Sequence, residues 1–256
     1  MFTRISKNKL KLVKSLARKK ERDKHGLFVV EGEKMVQDFI LTNGEFEFVI
    51  ATAEWLGKNN DIPIESSKVF EIANNELKSA SSLDTPNKVL LVAKKPRKKI
   101  DYLKLKEEHV FMFEHIQDPG NMGTIIRTLA WFGINTIICS PGSVDIYNPK
   151  VVQATMGTLW HVNTFYEDLD VVLEELKGKT VYATSMEGEN IYQTKLDNSG
   201  IVVFGNEAKG LSDHIMEKAD KKIHIPSFAA GKNVDSLNVA ISAGIIASEF
   251  SRCKNH

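Results

Sequence analysis

Along the whole chain, short apolar runs alternate with longer stretches whose apolar residues recur every third or fourth position. The first kind of segment reads as strand and the second as helix. In the first hundred residues the pattern predicts a helix over 6–20, strands over 26–31, 46–52 and 88–92, and a helix over 33–41. Farther on it predicts strands over 109–115, 136–139, 162–165, 180–184, 201–204 and 222–225, with helical stretches between most of them. A last helix over 241–250 is apolar nearly all round and should be buried on several sides. Strands that are apolar throughout and spaced by helices call for a mostly parallel sheet with helices on both faces. The fold class expected is therefore α/β, a smaller α/β unit followed by a larger one.

Charge sharpens the division. Cut at the basic run Lys94, Lys95, Pro96, Arg97, Lys98, Lys99, the first 99 residues carry 20 Lys and Arg against 13 Asp and Glu, and residues 100–256 carry 14 against 20. The parts stand at +7 and −6 inside a chain of net charge +1, so domains are expected over 1–99 and 100–256. Ten basic residues face two acidic ones between Arg4 and Lys24. Such density suits a polyanion, and it equally suits a solvated helix face. No apolar run approaches the length of a membrane span, and the Met1 end is rich in lysine rather than apolar, so a cytoplasmic protein without membrane attachment is expected. Cys139 and Cys253 lie far apart without a CxxC or Cys/His cluster, which gives neither a disulfide framework nor a metal site any support.

In a doubly wound sheet the ligand sits beyond the carboxyl ends of the strands, so the turns there carry the information. The first reads Asp118, Pro119, Gly120, Asn121, Met122, Gly123, with Asn121 placed to cap a helix. On that helix Met122, Ile125, Ile126, Leu129 and Ala130 form the apolar stripe, and Arg127 falls off it, as an ordinary surface arginine also does. The second, Gly205, Asn206, Glu207, Ala208, Lys209, Gly210, brackets a carboxylate with glycines; a plain tight turn would look the same. The third runs from Ile225 and Pro226 through a polar loop to Ser236, Leu237 and Asn238 at a helix start, where Ser236 is either an N-cap or a ligand's hydroxyl partner.

Together these segments resemble the SpoU family of RNA ribose methyltransferases, the TrmH-like branch of the knotted methyltransferases. The resemblance rests on Asn121, Gly123, Arg127, Phe132 and Gly133, then Gly205, Glu207, Gly210 and Leu211, then Ile225, Pro226, Ser236, Leu237, Asn238, Val239 and Ala240, in the family's order. Pro141, Gly142, Ser143, Asp145, Tyr147, Asn148, Pro149, Lys150 and Gly157 look like the family's intermotif segment, so the likeness spans about 110–248. More weakly, Phe28, Val29, Glu31 and Gly32, after Ser6 and Asn8, are similar to the appended substrate-binding domain of many members, itself similar to an RNA-binding ribosomal protein.

The resemblance implies a deep trefoil knot in the second domain and S-adenosylmethionine as cofactor, held by Thr184, Gly205, Asn206, Gly210, Ile225, Pro226 and Leu237. It assigns Arg127, Asn121, Glu207, Ser236 and Asn238 to catalysis and positioning, with neither a metal nor a covalent nucleophile. Ribose methylation asks for an aligned 2'-oxygen and stabilisation of its negative charge as the proton leaves. Because free guanidinium resists deprotonation, Arg127 is read first as phosphate anchor and alkoxide stabiliser, and second as base. One departure is the loop from Pro226 to Ser236, about three residues longer than the family's usual form. The expected function is 2'-O-methylation of RNA, ribosomal in view of the basic first domain, by a homodimer paired through the last helix and exposed aromatics such as Trp131 and Trp160. Alternatives are a transfer RNA ribose methyltransferase, or a non-catalytic RNA-binding ribosome-assembly protein on the same fold. A Rossmann-type small-molecule methyltransferase or dehydrogenase is disfavoured, since the turns read Gln117, Asp118, Pro119 and Ser140, Pro141, Gly142 rather than G-x-G-x-x-G.

Overall fold

The structure, a computed structural model, describes residues 2–59, 62–83, 85–206, 208–229 and 236–254. It divides into two compact units, Met1–Arg97 with Asp145–Trp160, and Lys98–Val144 with His161–His256. The segment Asp145–Trp160, which the charge split assigns to the second domain, thus packs with the first unit. In chain order the first unit holds β1 (Thr3–Arg4), α1 (Lys7–Ser15), α2 (Lys19–His25), β2 (Leu27–Glu31), α3 (Glu33–Leu41), β3 (Phe46–Ala51), α4 (Ala53–Lys58), β4 (Val69–Glu71), α5 (Asn74–Ala80) and β5 (Val89–Lys94). Then follow α6 (Tyr102–Leu105), β6 (Val110–Phe113), α7 (Pro119–Trp131), β7 (Thr136–Cys139), α8 (Pro149–Ala154), β8 (Asn163–Tyr166) and α9 (Leu169–Glu175). The chain ends with β9 (Thr180–Asn190), β10 (Gly200–Phe204), α10 (Asp213–Glu217), β11 (Lys221–His224) and α11 (Val239–Lys254).

The second unit is built on a six-stranded sheet in the order β11-β9-β10-β6-β7-β8, every pairing parallel. Its central strands read VFMF, TIIC and GIVVF and are buried at every residue, as a parallel sheet covered on both faces requires. Phe113 stacks on Phe204 with centroids 5.0 Å apart, and Phe111 on Phe204 at 5.8 Å. Phe250 of α11 meets Phe111, Tyr182 and His109 edge-on, pinning the last helix to the sheet. The small residues Ala240, Ala243 and Ala247 let that helix approach closely. Helix α11 buries Val239, Ala240, Ala243, Ile246, Ala247 and Phe250 and leaves Ile241 54% exposed. Strand β9 is longer than the apolar pattern indicates, because its polar end pairs with β11 across a register break. Ala183 stands opposite Lys222 and Glu189 opposite Ile223, and residues 184–188 bulge out between them. Gly188 sits where a Cβ would lie 2.6 Å from the carbonyl of Lys222. No described helix is long and apolar enough to cross a membrane.

In the first unit the sheet runs β1-β4-β3-β5-β2, with β1, β4 and β3 parallel and β5 antiparallel to β3 and β2. Phe48, Ile50, Leu90 and Val92 pack with Val13, Leu16 and Leu77. From the later segment, the Tyr147 ring lies 4.6 Å from that of Phe28, and burial raises its phenol pKa. Trp160, expected to be exposed, is half-buried: it packs edge-on against Phe39, and its Nε1 donates to Asp38 Oδ2 at 3.2 Å.

The helix expected over 6–20 is two helices, broken at Leu16–Arg18, and the reason is Arg22. With 2% of its surface exposed, its Nε and Nη2 donate to Asp145 Oδ2 at 2.9 and 2.6 Å, while Nη1 donates to the carbonyls of Leu16 and Ala17 at 2.9 and 2.8 Å. The break would strand those carbonyls; the guanidinium satisfies them, and the carboxylate balances its charge. Arg22 is therefore a structural residue rather than a polyanion contact. Of its basic neighbours, Arg4 pairs with Glu76, Lys19 with Asp23, and Lys9 lies over the Phe48 and Phe70 rings. Lys7, Lys11 and Lys14 share one exposed face of α1 without an ion pair to any described residue, and so do Arg18, Lys20 and Lys24 beyond it. Arg22→Ala should cost about 3–5 kcal/mol in urea denaturation, because it leaves a buried carboxylate unpaired. Lys14→Ala, on the exposed face, should change stability by no more than about 0.5 kcal/mol.

Candidate active site

At the carboxyl edge of the six-stranded sheet lies a cavity of about 500 Å³, a volume suited to a small organic ligand. Four chain segments enclose it: Thr184–Met186 from the β9 bulge, Phe204–Asn206 with Gly210 after β10, Ile223–Ala229 at and beyond the end of β11, and Ser236, Leu237, Val239, Ser242 and Ile246 at the start of α11. The structure thus brings Thr184, Gly205, Asn206, Gly210, Ile225, Pro226, Leu237 and Ser236 to one wall.

The turn after β10 is set by backbone approach. A Cβ on Gly205 would lie 2.1 Å from the carbonyl carbon of Gly210 and 2.2 Å from the nitrogen of Leu211, so only glycine fits. Asn206 and Gly210 exchange backbone hydrogen bonds at 3.0 and 2.8 Å, and Gly210 has φ +71. The Asn206 side chain closes the loop, accepting from the nitrogens of Ala208 and Lys209 and donating from Nδ2 to the carbonyl of His115 at 2.8 Å. Glu207 lies outside the described residues, as does the part of the long loop at 230–235.

Asp118, not Asn121, is the N-cap of α7: its Oδ1 accepts from the Asn121 nitrogen at 2.7 Å, with Pro119 in the first turn. Asn121 instead serves the neighbouring helix, its Oδ1 accepting from Asn238 Nδ2 at 2.9 Å. Asn238 in turn caps α11, accepting from the nitrogens of Ala240 and Ile241. Ser236 is therefore not that cap, and its exposed side chain lines the cavity. Helices α7 and α11 pack together where a Cβ on Gly244 would lie 3.1 Å from Thr128 Cγ2. Arg127, two turns into α7, is exposed and makes no hydrogen bond or ion pair with any described residue; it does not line the cavity.

Several supporting groups were not legible in the sequence. Glu114 accepts from both the nitrogen and the hydroxyl of Ser212 at 2.8 Å, and Ser140 accepts from the His115 nitrogen at 2.9 Å. Nothing local marks them, since each contact joins residues far apart in the chain. Burial pushes the Cys139 thiol up to about 12, so it stays protonated at neutral pH and is no nucleophile. Among the described residues no group of three or more His, Cys, Asp or Glu could hold a metal ion.

The model of the SpoU rRNA Methylase family matches residues 108–248, the stretch that carries this cavity. The chain belongs to that family. A second family model, the MRM3-like substrate binding domain, matches residues 7–91 of this SpoU chain. Its similar proteins include the 23S rRNA (guanosine(2553)-2'-O)-methyltransferase RlmP of Bacillus subtilis, 28% identical over 93% of this chain and 94% of that one. Among solved structures, a TrmH-family protein from Porphyromonas gingivalis is 32% identical, covers 97% of this chain and 98% of its own, and superposes with a TM-score of 0.85. The AdoMet-bound rRNA methyltransferase of Sinorhizobium meliloti shares the fold, with 24% identity over 98% and 96% of the two chains and a TM-score of 0.82.

Gly205→Ala should cost about 3 kcal/mol in thermal denaturation, since the clash is backbone on backbone and no side chain can swing away. Asn238→Ala, which removes a cap, should cost about 1 kcal/mol.

Proposed function

We propose that this protein methylates a ribose 2'-hydroxyl of ribosomal RNA, with S-adenosylmethionine as the methyl donor. The observation that carries the reading is the cavity, an apolar-walled pocket at the carboxyl edge of a parallel sheet, formed by the segments in which the SpoU likeness resides. The pocket fits the cofactor in size, and Gly205 lets the two backbones of the turn close on each other at its wall. Likeness to RlmP over nearly the full length of both chains favours ribosomal over transfer RNA.

Thr184, Gly205, Asn206, Gly210, Ile225, Pro226 and Leu237 hold the cofactor, which supplies a methyl group on a positively charged sulfur. The chain's own task is to present the ribose oxygen and to hold the charge that grows as its proton leaves. Arg127, solvent-facing and without a partner among the described residues, offers a planar fork that can grip a phosphate and face the developing alkoxide. Asn121 and Asn238 lock the starts of α7 and α11 together, and so fix the approach of Arg127's helix to the pocket. Ser236 and Glu207 complete the acceptor side. The C-terminal segment is threaded through a loop as a trefoil knot, the rare exception to unknotted chains.

The first unit is the RNA-holding domain, ribosomal-protein-like in fold, with Lys7, Lys11 and Lys14 as a cationic stripe for phosphates. The protein works in the cytoplasm as a homodimer. Trp131 is 85% exposed on α7, and Ile241 is exposed on the adjacent α11, an apolar pair that a second copy would cover.

The test is a pair of variants at Arg127. Arg127→Ala and Arg127→Lys should both keep the rise in melting temperature that S-adenosylmethionine gives the wild type, because the residue touches neither the core nor the pocket. Both should lose on the order of a hundredfold in methyl transfer to 23S ribosomal RNA, the lysine variant because it keeps the charge but not the fork. Full activity in Arg127→Ala would remove the residue from the mechanism, and a wild type that neither binds the cofactor nor methylates would end the reading. Sedimentation should give about twice the 28.7 kDa chain mass, and Trp131→Glu should shift the protein toward monomer.

A further inference from the structure

His115 lies one residue past Phe113 and Glu114 at the carboxyl end of the central strand β6, with a backbone that a non-glycine residue rarely adopts, φ +56. Such a conformation costs of order 1–3 kcal/mol and persists only where the surroundings over-determine it. Two segments do so here, the turn after β10 and the loop after β7. Asn206, a wall residue of the cavity, donates from Nδ2 to the His115 carbonyl at 2.8 Å. Ser140, just after β7, accepts from the His115 nitrogen at 2.9 Å, and Ser143 accepts from the nitrogen of Ile116 at 3.2 Å. Gly142 provides the seat for the ring, since a Cβ there would lie 2.3 Å from the imidazole Nδ1 and 2.7 Å from Cε1. Despite this framing the imidazole is exposed and hydrogen-bonds to no described residue. The residue is thus exposed while its backbone carbonyl is held by Asn206 of the cavity wall and its ring is set against Gly142. A histidine used only for packing would be buried and bonded.

We propose that His115 belongs to the RNA-contacting surface of the methyl-transfer site, its imidazole donating a hydrogen bond to the phosphate backbone of the strand that carries the acceptor ribose. The inference rests on the methyltransferase reading above. It places a second donor on the acceptor side of the pocket, on the β6 end rather than on α7.

Kinetics and filter binding with an in vitro transcript of 23S ribosomal RNA test it. His115→Gly relaxes the strained backbone and should leave stability equal or higher, with cofactor affinity and kcat about unchanged. It should raise the KM and the Kd for the transcript on the order of tenfold, the scale of one hydrogen bond to a charged group. His115→Asn, which tolerates the left-handed conformation and keeps a donor, should recover most of that loss. Gly142→Ala pushes the ring off its seat without removing it and should reproduce the His115→Gly defect. Added to His115→Gly, it should have no further effect, because the two act through one contact. Wild-type KM and Kd in His115→Gly, or an asparagine variant no better than glycine, would overturn the inference while leaving the methyltransferase reading intact. Failure of the wild type to methylate the transcript would remove both.

Discussion

A parallel sheet covered on both faces consumes its backbone polar groups internally and leaves them free only at its two edges of strand ends. In the second unit β6, β7 and β10 are buried at every residue, so chemistry has nowhere to reside except in the turns. The helices that cover the sheet return the chain to the same side each time, and the β9 bulge and the turns after β10 and β11 therefore converge on the start of α11. The 500 Å³ cavity is the space they leave, and the placement of every candidate residue follows from that constraint.

Turns of this kind need fixing, because loop backbone without partners is costly when half-buried. Short amide and hydroxyl side chains do it here. Asn206 ties its own loop and reaches back to His115, Asn238 caps α11 and reaches across to Asn121, and Ser212 and Glu114 close a further bridge. Each of these side chains ties two segments together, and such cross-links favour a preformed site, which limits the entropy lost on binding. Glycine performs the complementary task at Gly205, where two backbones touch.

The first unit solves a different problem. It is rich in positive charge, yet it buries one cation completely. Arg22 stays inside because Asp145 and two stranded carbonyls compensate it, whereas Lys7, Lys11 and Lys14 remain in water with their charge unspent. A dense basic segment is thus divided between one buried, compensated cation and an exposed stripe. Asp145 comes from a segment more than a hundred residues away in the chain, so the unit is discontinuous in sequence although it is compact.

Apolar runs placed β6, β7 and β10, since strands buried on both faces are apolar whatever surrounds them, and shorter apolar stretches marked the edge strands β8 and β11, which are only partly buried. The glycines at 205 and 210 and the residues of the three turns were legible for a similar reason: close backbone approach and helix starts demand particular residue types locally. The split of the predicted first helix was not legible, because it depends on Arg22 reaching Asp145 across 123 positions. Nor was the polar extension of β9, whose pairing is supplied by β11 rather than by its own sequence. Asn121 read as a cap because its type suits one, but Asp118 stands one turn earlier in the right geometry and Asn121 is engaged by Asn238. Trp160 read as exposed because nothing nearby covers it, and Phe39 and Asp38 do so from far up the chain. Which segments are buried and which turns are tight follow from local chemistry and can be read residue by residue. Which polar side chain serves which partner follows from the fold alone, because hydrogen bonds depend on distances that chain separation does not encode.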